Sequence, residues 1–224
     1  MRRENRREEE IMDKRGRFIV FEGIDGSGKS TQLQMLKDRL ETAGIPCSET
    51  REPTDSVFGK LLRDVLTKKV KADNRVLAPL FAADRMDHIL REEEGLLAVR
   101  EKGNVILCDR YYFSNYAYQS TSLPLQYVIS VNEPCAALMR PDLTFFIDVS
   151  PKTAMERINT NRGQTELFEK EEILEKTRNQ YLSAFEAVKD TENVKIIDGS
   201  RSPQDIADEI LAIVVDEMPD LMVK

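Results

Sequence analysis

The feature that most constrains this chain is a glycine-rich segment between a largely apolar run and a helical segment. Residues 23–31 read GIDGSGKST, which fits the pattern G-x-x-x-x-G-K-[ST], and they directly follow the run RFIVFE at 17–22. In that setting the backbone N–H groups of the loop and the positive end of the helix dipole surround phosphate oxygens. The lysine of the pattern reaches the β- and γ-phosphates, and the hydroxyl after it ligates Mg²⁺. The chain is therefore predicted to bind a nucleoside triphosphate together with magnesium.

Strand-like and helical segments alternate along the rest of the chain. Short apolar runs predict strands at 17–22, 46–50, 104–108, 143–147 and 194–197. Apolar residues at helical spacing predict helices at 30–43, 57–66, 76–100, 125–139, 151–160, 170–189 and 203–218. Continuous apolar runs are typical of strands that are buried on both faces. The alternation therefore predicts an α/β fold with a parallel sheet covered by helices on both sides.

Composition narrows the classes of function. The chain has 224 residues, with 33 Lys+Arg against 40 Asp+Glu, so its formal charge is 33 − 40 = −7. Proteins that coat nucleic acids need an excess of basic residues, so no nucleic-acid partner is expected. No run of 18 apolar residues is present, and the first residues lack the apolar core of a signal peptide. We therefore expect a cytoplasmic protein with no membrane partner.

The first 16 residues differ in composition from the rest. They contain six basic and five acidic residues, too polar a mixture to bury a core. We interpret residues 1–16 as a charged, disordered tail and 17–224 as one domain.

The three cysteines, Cys47, Cys108 and Cys135, stand far apart, and we expect them to be reduced thiols.

Several classes of enzyme share the phosphate loop, and the sequence separates them in part. The Asn-Lys-x-Asp motif of GTPases and the Ser-Gly-Gly signature of transporter ATPases are both absent. The remaining class transfers the γ-phosphoryl group to a small acceptor. Two strand-like runs end in an acid that could hold the water of a magnesium ion, at Asp109 and Asp148. Asp109 is favoured because Arg110, a phosphate-binding type of residue, follows it directly.

Two segments suggest where a flat acceptor would bind. Five of the eight residues at 111–118 are aromatic, which fits either a packed helix or a stacking platform. Phe81 and Arg85 lie four residues apart, so one helix face would carry a ring that can stack on a base and a guanidinium that can bond its edge.

His88, the single histidine, is interpreted as a surface residue.

Together these motifs closely resemble the thymidylate kinase family. The resemblance rests on FEGIDGSGKST at 21–31, TREP at 50–53, FAADR at 81–85, DRY at 109–111, SNYAYQ at 114–119, RPDL at 140–143 and the segment 157–163. It implies a P-loop three-layer α/β/α fold with a five-stranded parallel sheet and a mobile helical lid at about 152–170. It also implies a homodimer that converts dTMP and ATP, with Mg²⁺, into dTDP and ADP. The open alternatives are another nucleoside monophosphate or deoxynucleoside kinase, and a non-catalytic nucleotide-binding module.

The phosphate loop and the resemblance assign individual residues to the site. The residues expected to bind ATP are Gly23, Ile24, Asp25, Gly26, Ser27, Gly28, Lys29, Ser30 and Thr31 of the loop and, as the resemblance implies, Arg157. The resemblance implies that dTMP is bound by Glu52, Pro53, Arg63, Phe81, Arg85, Arg110, Asn115, Tyr118 and Gln119, with Phe81 stacked on thymine and Arg85 donating to its O4. The expected catalytic residues are Lys29, Asp25, Arg110 and Arg162, and Arg162 is assigned to the charge of the transition state. Ser30 and Asp109 are expected to hold the metal.

Overall fold

The computed structural model describes residues 16–159 and 167–222. The strands are β1 (Phe18–Glu22), β2 (Cys47–Arg51), β3 (Val105–Asp109), β4 (Leu143–Asp148) and β5 (Val194–Asp198). The helices are α1 (Lys29–Thr42), α2 (Val57–Leu66), α3 (Asn74–Leu90), α4 (Leu96–Glu101), α5 (Tyr112–Gln119), α6 (Leu125–Leu138), α7 (Pro151–Asn159), α8 (Leu167–Val188) and α9 (Pro203–Glu217), followed by a 3₁₀ helix (Pro219–Met222). Residues 1–15 of the predicted tail and 160–166 of the predicted lid lie outside the described residues.

The five strands form one parallel sheet in the order β2-β3-β1-β4-β5. β1 lies at its centre, where Phe21 is level with Asp109 of β3 and with Phe145 of β4. Every residue of β1 is buried, as expected for a strand whose two faces are both covered. The α/β fold with a five-stranded parallel sheet between helical layers is thereby confirmed.

Side chains alternate along β1 between two apolar layers, because successive residues of a strand point to opposite faces. Phe18 and Val20 belong to a cluster with the aromatic side chains of α5 and α8. Ile19 and Phe21 belong to a second cluster with apolar residues of α1 and α9. Removing this apolar surface from water on both sides is the main stabilising contribution to the sheet.

The prediction of one helix over 76–100 is wrong, because the chain breaks between α3 and α4. Arg91 takes an extended ψ of 133°, and Gly95 takes a ψ of 155°. A Cβ on Gly95 would lie 2.3 Å from the carbonyl oxygen of Arg91, so the turn that starts α4 accepts no side chain at this position. The other predicted strands and helices are present, with ends shifted by three residues or fewer.

Most of the aromatic segment 111–118 is packed into the core, as one of its two interpretations predicts. It forms α5 and the residue before it, and the rings of Tyr112, Phe113 and Tyr116 are buried in the core. Tyr118, two residues after Tyr116, lines a cavity instead. In residues 16–159 and 167–222, no helix is long and apolar enough to cross a bilayer.

Candidate active site

The phosphate loop lies at the carboxyl edge of the sheet, between β1 and α1. Gly23 has a φ of 148° and Gly26 a φ of 80°, which side chains rarely adopt. A Cβ would lie 2.8 Å from the carbonyl oxygen of Ile147 at the first position and 2.5 Å from that of Ala154 at the second. Any side chain would therefore push the loop away from β4 and α7. The predicted residues 23–31 form this loop and the first turn of α1, beside a cavity of about 320 Å³.

Lys29 is the buried cation of the loop. Its side chain is 6% exposed, and its Nζ donates to the carbonyl oxygen of Ile24 at 3.1 Å. Burial, and then the nearby charge of Arg110, lowers the pKa of Lys29 to about 8. The amine is still mostly protonated at neutral pH, and a bound phosphate would favour that form further.

Ser30 and Asp109 meet beside this lysine. The Ser30 hydroxyl donates to Asp109 Oδ2 at 2.7 Å, while Asp109 Oδ1 is buried with no hydrogen-bond partner among the described residues. A hydroxyl beside a carboxylate oxygen that lacks a partner fits Mg²⁺, which takes one or two protein oxygens and completes its shell with water and phosphate. The other acid considered, Asp148, is held by two bonds from Arg178, at 2.6 and 2.7 Å.

A second cavity, of about 280 Å³, adjoins the loop, and we call it the acceptor cavity. It is lined by Asp25, Glu52, Pro53, Leu66, Phe81, Arg85, Arg110, Tyr111, Ser114, Tyr118 and Gln119. Seven of the nine residues expected to bind dTMP are among them. Asp25 and Arg110 also line the cavity at the phosphate loop, so the two cavities share a wall.

Arg110 forms that shared wall. Its backbone has a φ of 70°, which turns the chain out of β3, and its Nη2 lies 2.5 Å from Asp25 Oδ1. Nη1 donates to Ser114 Oγ at 2.9 Å, and the guanidinium lies 5.3 Å from the centroid of the Tyr118 ring. The side chain is therefore held from three directions at the place where two phosphates would meet.

Arg85 is the buried cation of the acceptor cavity. It is 1% exposed, and its Nη2 lies 2.6 Å from Glu52 Oε2. Its Nη1 donates to Asn132 Oδ1, and its plane lies 4.8 Å from the Tyr111 ring centroid. Burial opposes the charge, but Glu52 raises the pKa of Arg85 above its ordinary value. Its Nε is buried without a hydrogen-bond partner in the described part of the chain.

Two residues expected to bind dTMP are not in the described lining of this cavity. Arg63 donates to the carbonyl oxygens of Pro53 and Thr54, at 3.2 and 2.7 Å, and lies 3.2 Å from Asp55. It therefore holds the loop after β2. Asn115 is buried and donates to the carbonyl oxygen of Ala78 at 3.2 Å. Their contact with a ligand stays a prediction.

The interpretation of His88 as a surface residue is wrong. Its side chain is 4% exposed, with Nδ1 3.1 Å from Glu52 Oε1 and Nε2 2.8 Å from the Thr50 hydroxyl. Its charged neighbours Asp87 and Arg91 suggested solvent, but α3 turns His88 towards β2. Only the spacing of three residues from Arg85, one helical turn, could have placed the histidine on the same buried face.

Glu22 at the end of β1 is a second residue that sequence reasoning missed. It is fully buried and accepts from the backbone N–H groups of Tyr111 and Ser114, from Ser114 Oγ at 2.6 Å and from the Tyr181 hydroxyl at 2.9 Å. Burial raises the pKa of Glu22, although these bonds favour its charged form. Ser114 and Tyr181 also contact Arg110, so Glu22 organises the pocket behind that arginine. The signal was an acid ending an otherwise apolar strand.

Of the two arginines expected on the ATP side of the site, Arg157 lies within the described residues. Arg157 of α7 donates to the carbonyl oxygen of Ser27 at 3.1 Å and to that of Gly199 at 2.8 Å. It thus joins the phosphate loop to the turn after β5. Arg162 lies outside the described residues.

Comparison with known proteins gives a consistent match along the chain. The family model described as thymidylate kinase matches residues 21–210. A probable thymidylate kinase of Pyrococcus horikoshii is 37% identical over 210 residues, which cover 91% of this chain and 98% of the relative. One of Methanocaldococcus jannaschii is 36% identical over 196 residues, covering 87% and 93%, and one of Thermococcus gammatolerans is 36% identical over 212 residues, covering 91% and 98%.

Proposed function

Because the chain belongs to the thymidylate kinase family, we propose that it transfers the γ-phosphoryl group of ATP to dTMP, giving dTDP and ADP. The observation that carries the proposal is the shared wall of Asp25 and Arg110 between the phosphate loop and the acceptor cavity. A donor phosphate on the loop and an acceptor phosphate on Arg110 would be neighbours, as in-line transfer requires.

The chain's own residues would act by position and charge. Lys29 and the loop N–H groups bind the β- and γ-phosphates, and Arg110 orients the phosphate of dTMP. Mg²⁺, held through Ser30 and Asp109, would neutralise charge on the transferred group. Asp25, 2.5 Å from Arg110, keeps the guanidinium aimed at the acceptor. No covalent enzyme intermediate is needed, because the transition state is loose and its charge is spread over the phosphoryl oxygens.

Polar atoms at the far end of the acceptor cavity support recognition of thymine. Arg85 offers donors, and Gln119 Oε1 is buried without a partner in the described part of the chain. Thymine presents an O4 acceptor beside an N3–H donor, which complements this pair. Cytosine presents an amine in place of O4, so it would meet Arg85 donor to donor and leave buried groups unpaired. Phe81 provides the face on which the ring stacks.

An ADP-release assay with dTMP, dUMP, dCMP, AMP and thymidine as acceptors tests this proposal. We expect dTMP to give the highest kcat/KM. We expect dUMP, which lacks one methyl group, to be about 10–200-fold poorer. Preference for dCMP or AMP would favour another monophosphate kinase, turnover of thymidine would favour a nucleoside kinase, and ATP binding without transfer would favour a binding module. Each of these results contradicts the proposal.

The proposal includes a lid over about 152–170 whose Arg162 neutralises the transition state. Arg157, already joined to the loop at Ser27, would flank the adenine. We expect Arg162→Ala to lower kcat by about 10³-fold or more with little change in the KM for dTMP. An unchanged kcat would assign that charge to another residue.

The three cysteines are unpaired, which is consistent with a reducing cytoplasm.

The proposal also includes a homodimer formed through α2 and α3. Val57, Phe58 and Leu61 on α2 and Leu90 at the end of α3 are exposed by 71%, 38%, 42% and 53%. Phe58 and Leu90 line one groove between these helices. Such a patch is typical of an interface. We expect the native protein to elute as a dimer and Leu61→Asp to elute as a monomer, and a native monomer would contradict this part of the proposal.

A further inference from the structure

A chain of buried side chains runs from Arg85 away from the acceptor cavity. Arg85 pairs with Glu52 Oε2, and Glu52 Oε1 lies 3.1 Å from His88 Nδ1. His88 Nε2 lies 2.8 Å from Thr50 Oγ1. Arg85, Glu52 and His88 are buried, so water cannot readily replace a partner that is lost.

The two ends of this chain lie in different cavities. Glu52 and Arg85 line the acceptor cavity. Thr50 and His88 line a separate space of about 780 Å³ that also borders Ser30 and Asp109. His88 therefore stands behind the arginine that would read the base, and it is not in the described lining of the acceptor cavity.

The chemistry of the contacts fixes the direction of the bond between His88 and Glu52. A carboxylate only accepts, so His88 Nδ1 must carry the hydrogen that faces Glu52. In the neutral ring, Nε2 then accepts from the Thr50 hydroxyl, which selects one tautomer and one ring orientation. In the described part of the chain, Glu52 is the only carboxylate within ion-pair distance of Arg85, so the position of Glu52 constrains Nη2 while Asn132 holds Nη1.

We infer that His88 is a positioning residue for thymine recognition. It holds the Glu52 carboxylate so that Arg85 keeps its free donors directed into the acceptor cavity. Asn132 accepts from Nη1 and the Tyr111 ring covers one face of the guanidinium, whereas Glu52, held by His88, pairs with Nη2. The inference rests on the proposed function and adds a residue that acts on specificity without touching either substrate.

Three variants test the inference: His88→Leu, His88→Asn and Thr50→Val. For each, kcat, the KM for dTMP, the KM for ATP and the ratio of kcat/KM between dTMP and dCMP are measured. His88→Leu removes the donor to Glu52, and we expect the KM for dTMP to rise, and the dTMP-to-dCMP ratio to fall, by about tenfold or more. The KM for ATP should stay within about twofold, since the hydrogen bonds of His88 among the described residues go to Thr50 and Glu52 and not to the phosphate loop.

The conservative variant separates positioning from support of the fold. The amide nitrogen of His88→Asn can stand near the place of Nδ1 and donate to Glu52, so we expect near-native values. Equal losses in both His88 variants with an unchanged dTMP-to-dCMP ratio would overturn the inference. If His88→Leu does not fold, Thr50→Val carries the test, with a smaller rise in the KM for dTMP. A native enzyme that does not phosphorylate dTMP would instead overturn the proposed function.

Discussion

The phosphate loop and the acceptor cavity of this protein are assembled from very different lengths of chain. The loop takes its backbone donors, its lysine and its hydroxyl from residues 23–31, with Asp109 as the main addition from outside. The acceptor cavity takes side chains from the phosphate loop, the turn after β2, α2, α3, the turn after β3 and α5. The loop therefore depends on local backbone geometry, whereas the cavity depends on buried charges that distant segments bring together.

Both regions bury a cation, but of the two only Arg85 has a counter-ion within ion-pair distance among the described residues. Arg85 has Glu52 at 2.6 Å, while Lys29 has the carbonyl oxygen of Ile24 as its hydrogen-bond acceptor. In the proposed function, an anion that arrives with the substrate would pair with the lysine. In the free protein the charged amine is buried without that anion, which is unfavourable. The arginine is already paired with a carboxylate, so in the proposed function it directs hydrogen bonds rather than attracting charge.

Among variants of these two regions, Lys29→Met should have the largest effect. Loss of the cation at the transferred phosphate should lower kcat by about 10²–10³-fold. The same change should raise the thermal midpoint of the substrate-free protein at pH 7, because the lowered pKa shows that burial disfavours the charged amine. Steady-state rates and calorimetry measure both effects. Lys37→Met, which breaks a partly exposed ion pair on the same helix, is the matched control and should change neither by much. A loss of stability in Lys29→Met would contradict this contrast.

The lowered pKa of Lys29 also determines how the stability gained by Lys29→Met changes with pH. Because the pKa of Lys29 is lowered to about 8 in the folded protein from its ordinary value of 10.5, the unfolded state binds more protons between these values. The contribution of Lys29 to the free energy of unfolding should therefore rise from pH 8 to pH 10. The stability gained by Lys29→Met should shrink over the same range.

Arg85→Met should have the next largest effect, and it should act on fold and specificity together. It leaves the Glu52 carboxylate buried without its cation, which we expect to lower the free energy of unfolding by about 3–5 kcal/mol. We expect kcat/KM for dTMP to fall by about 100-fold. Adding Glu52→Gln removes the stranded charge, so the double variant should regain much of the stability but not the activity. Recovery of both would show that Arg85 serves only the fold. Urea unfolding and initial rates distinguish these outcomes.

Glu22→Gln should have the smallest effect and should sharpen the comparison. The amide keeps the shape of the side chain but turns one acceptor into a donor, which we expect to lower the free energy of unfolding by about 1–3 kcal/mol. Since burial raises the pKa of Glu22, its protonated form stabilises the fold at low pH, and that contribution is lost as the pH rises through the raised value. The penalty of the variant, from urea unfolding, should therefore be larger at pH 5 than at pH 8. The opposite order would contradict the raised pKa.

The same contrast explains which parts could be predicted from the sequence. The phosphate loop and the strands follow from local patterns, since glycine spacing and apolar runs act over a few residues. The burial of Glu22 and His88 depends on α5, α8 and β2, which are distant in sequence. The polarity of the neighbouring residues in the sequence therefore did not predict that these two side chains are buried. The break at Gly95 was missed because helical spacing continues across it, and only the approach of the Arg91 carbonyl shows that no side chain fits.

The most direct test of the central claim follows the fate of the γ-phosphate. The purified protein is incubated with γ-labelled ATP, Mg²⁺ and an equimolar mixture of dTMP and dCMP, and the labelled products are separated. Two adjoining cavities with Arg110 between them and Arg85 at the far end of one predict that the label appears in dTDP and scarcely in dCDP. Label found mainly in dCDP, or only in inorganic phosphate, would contradict the account.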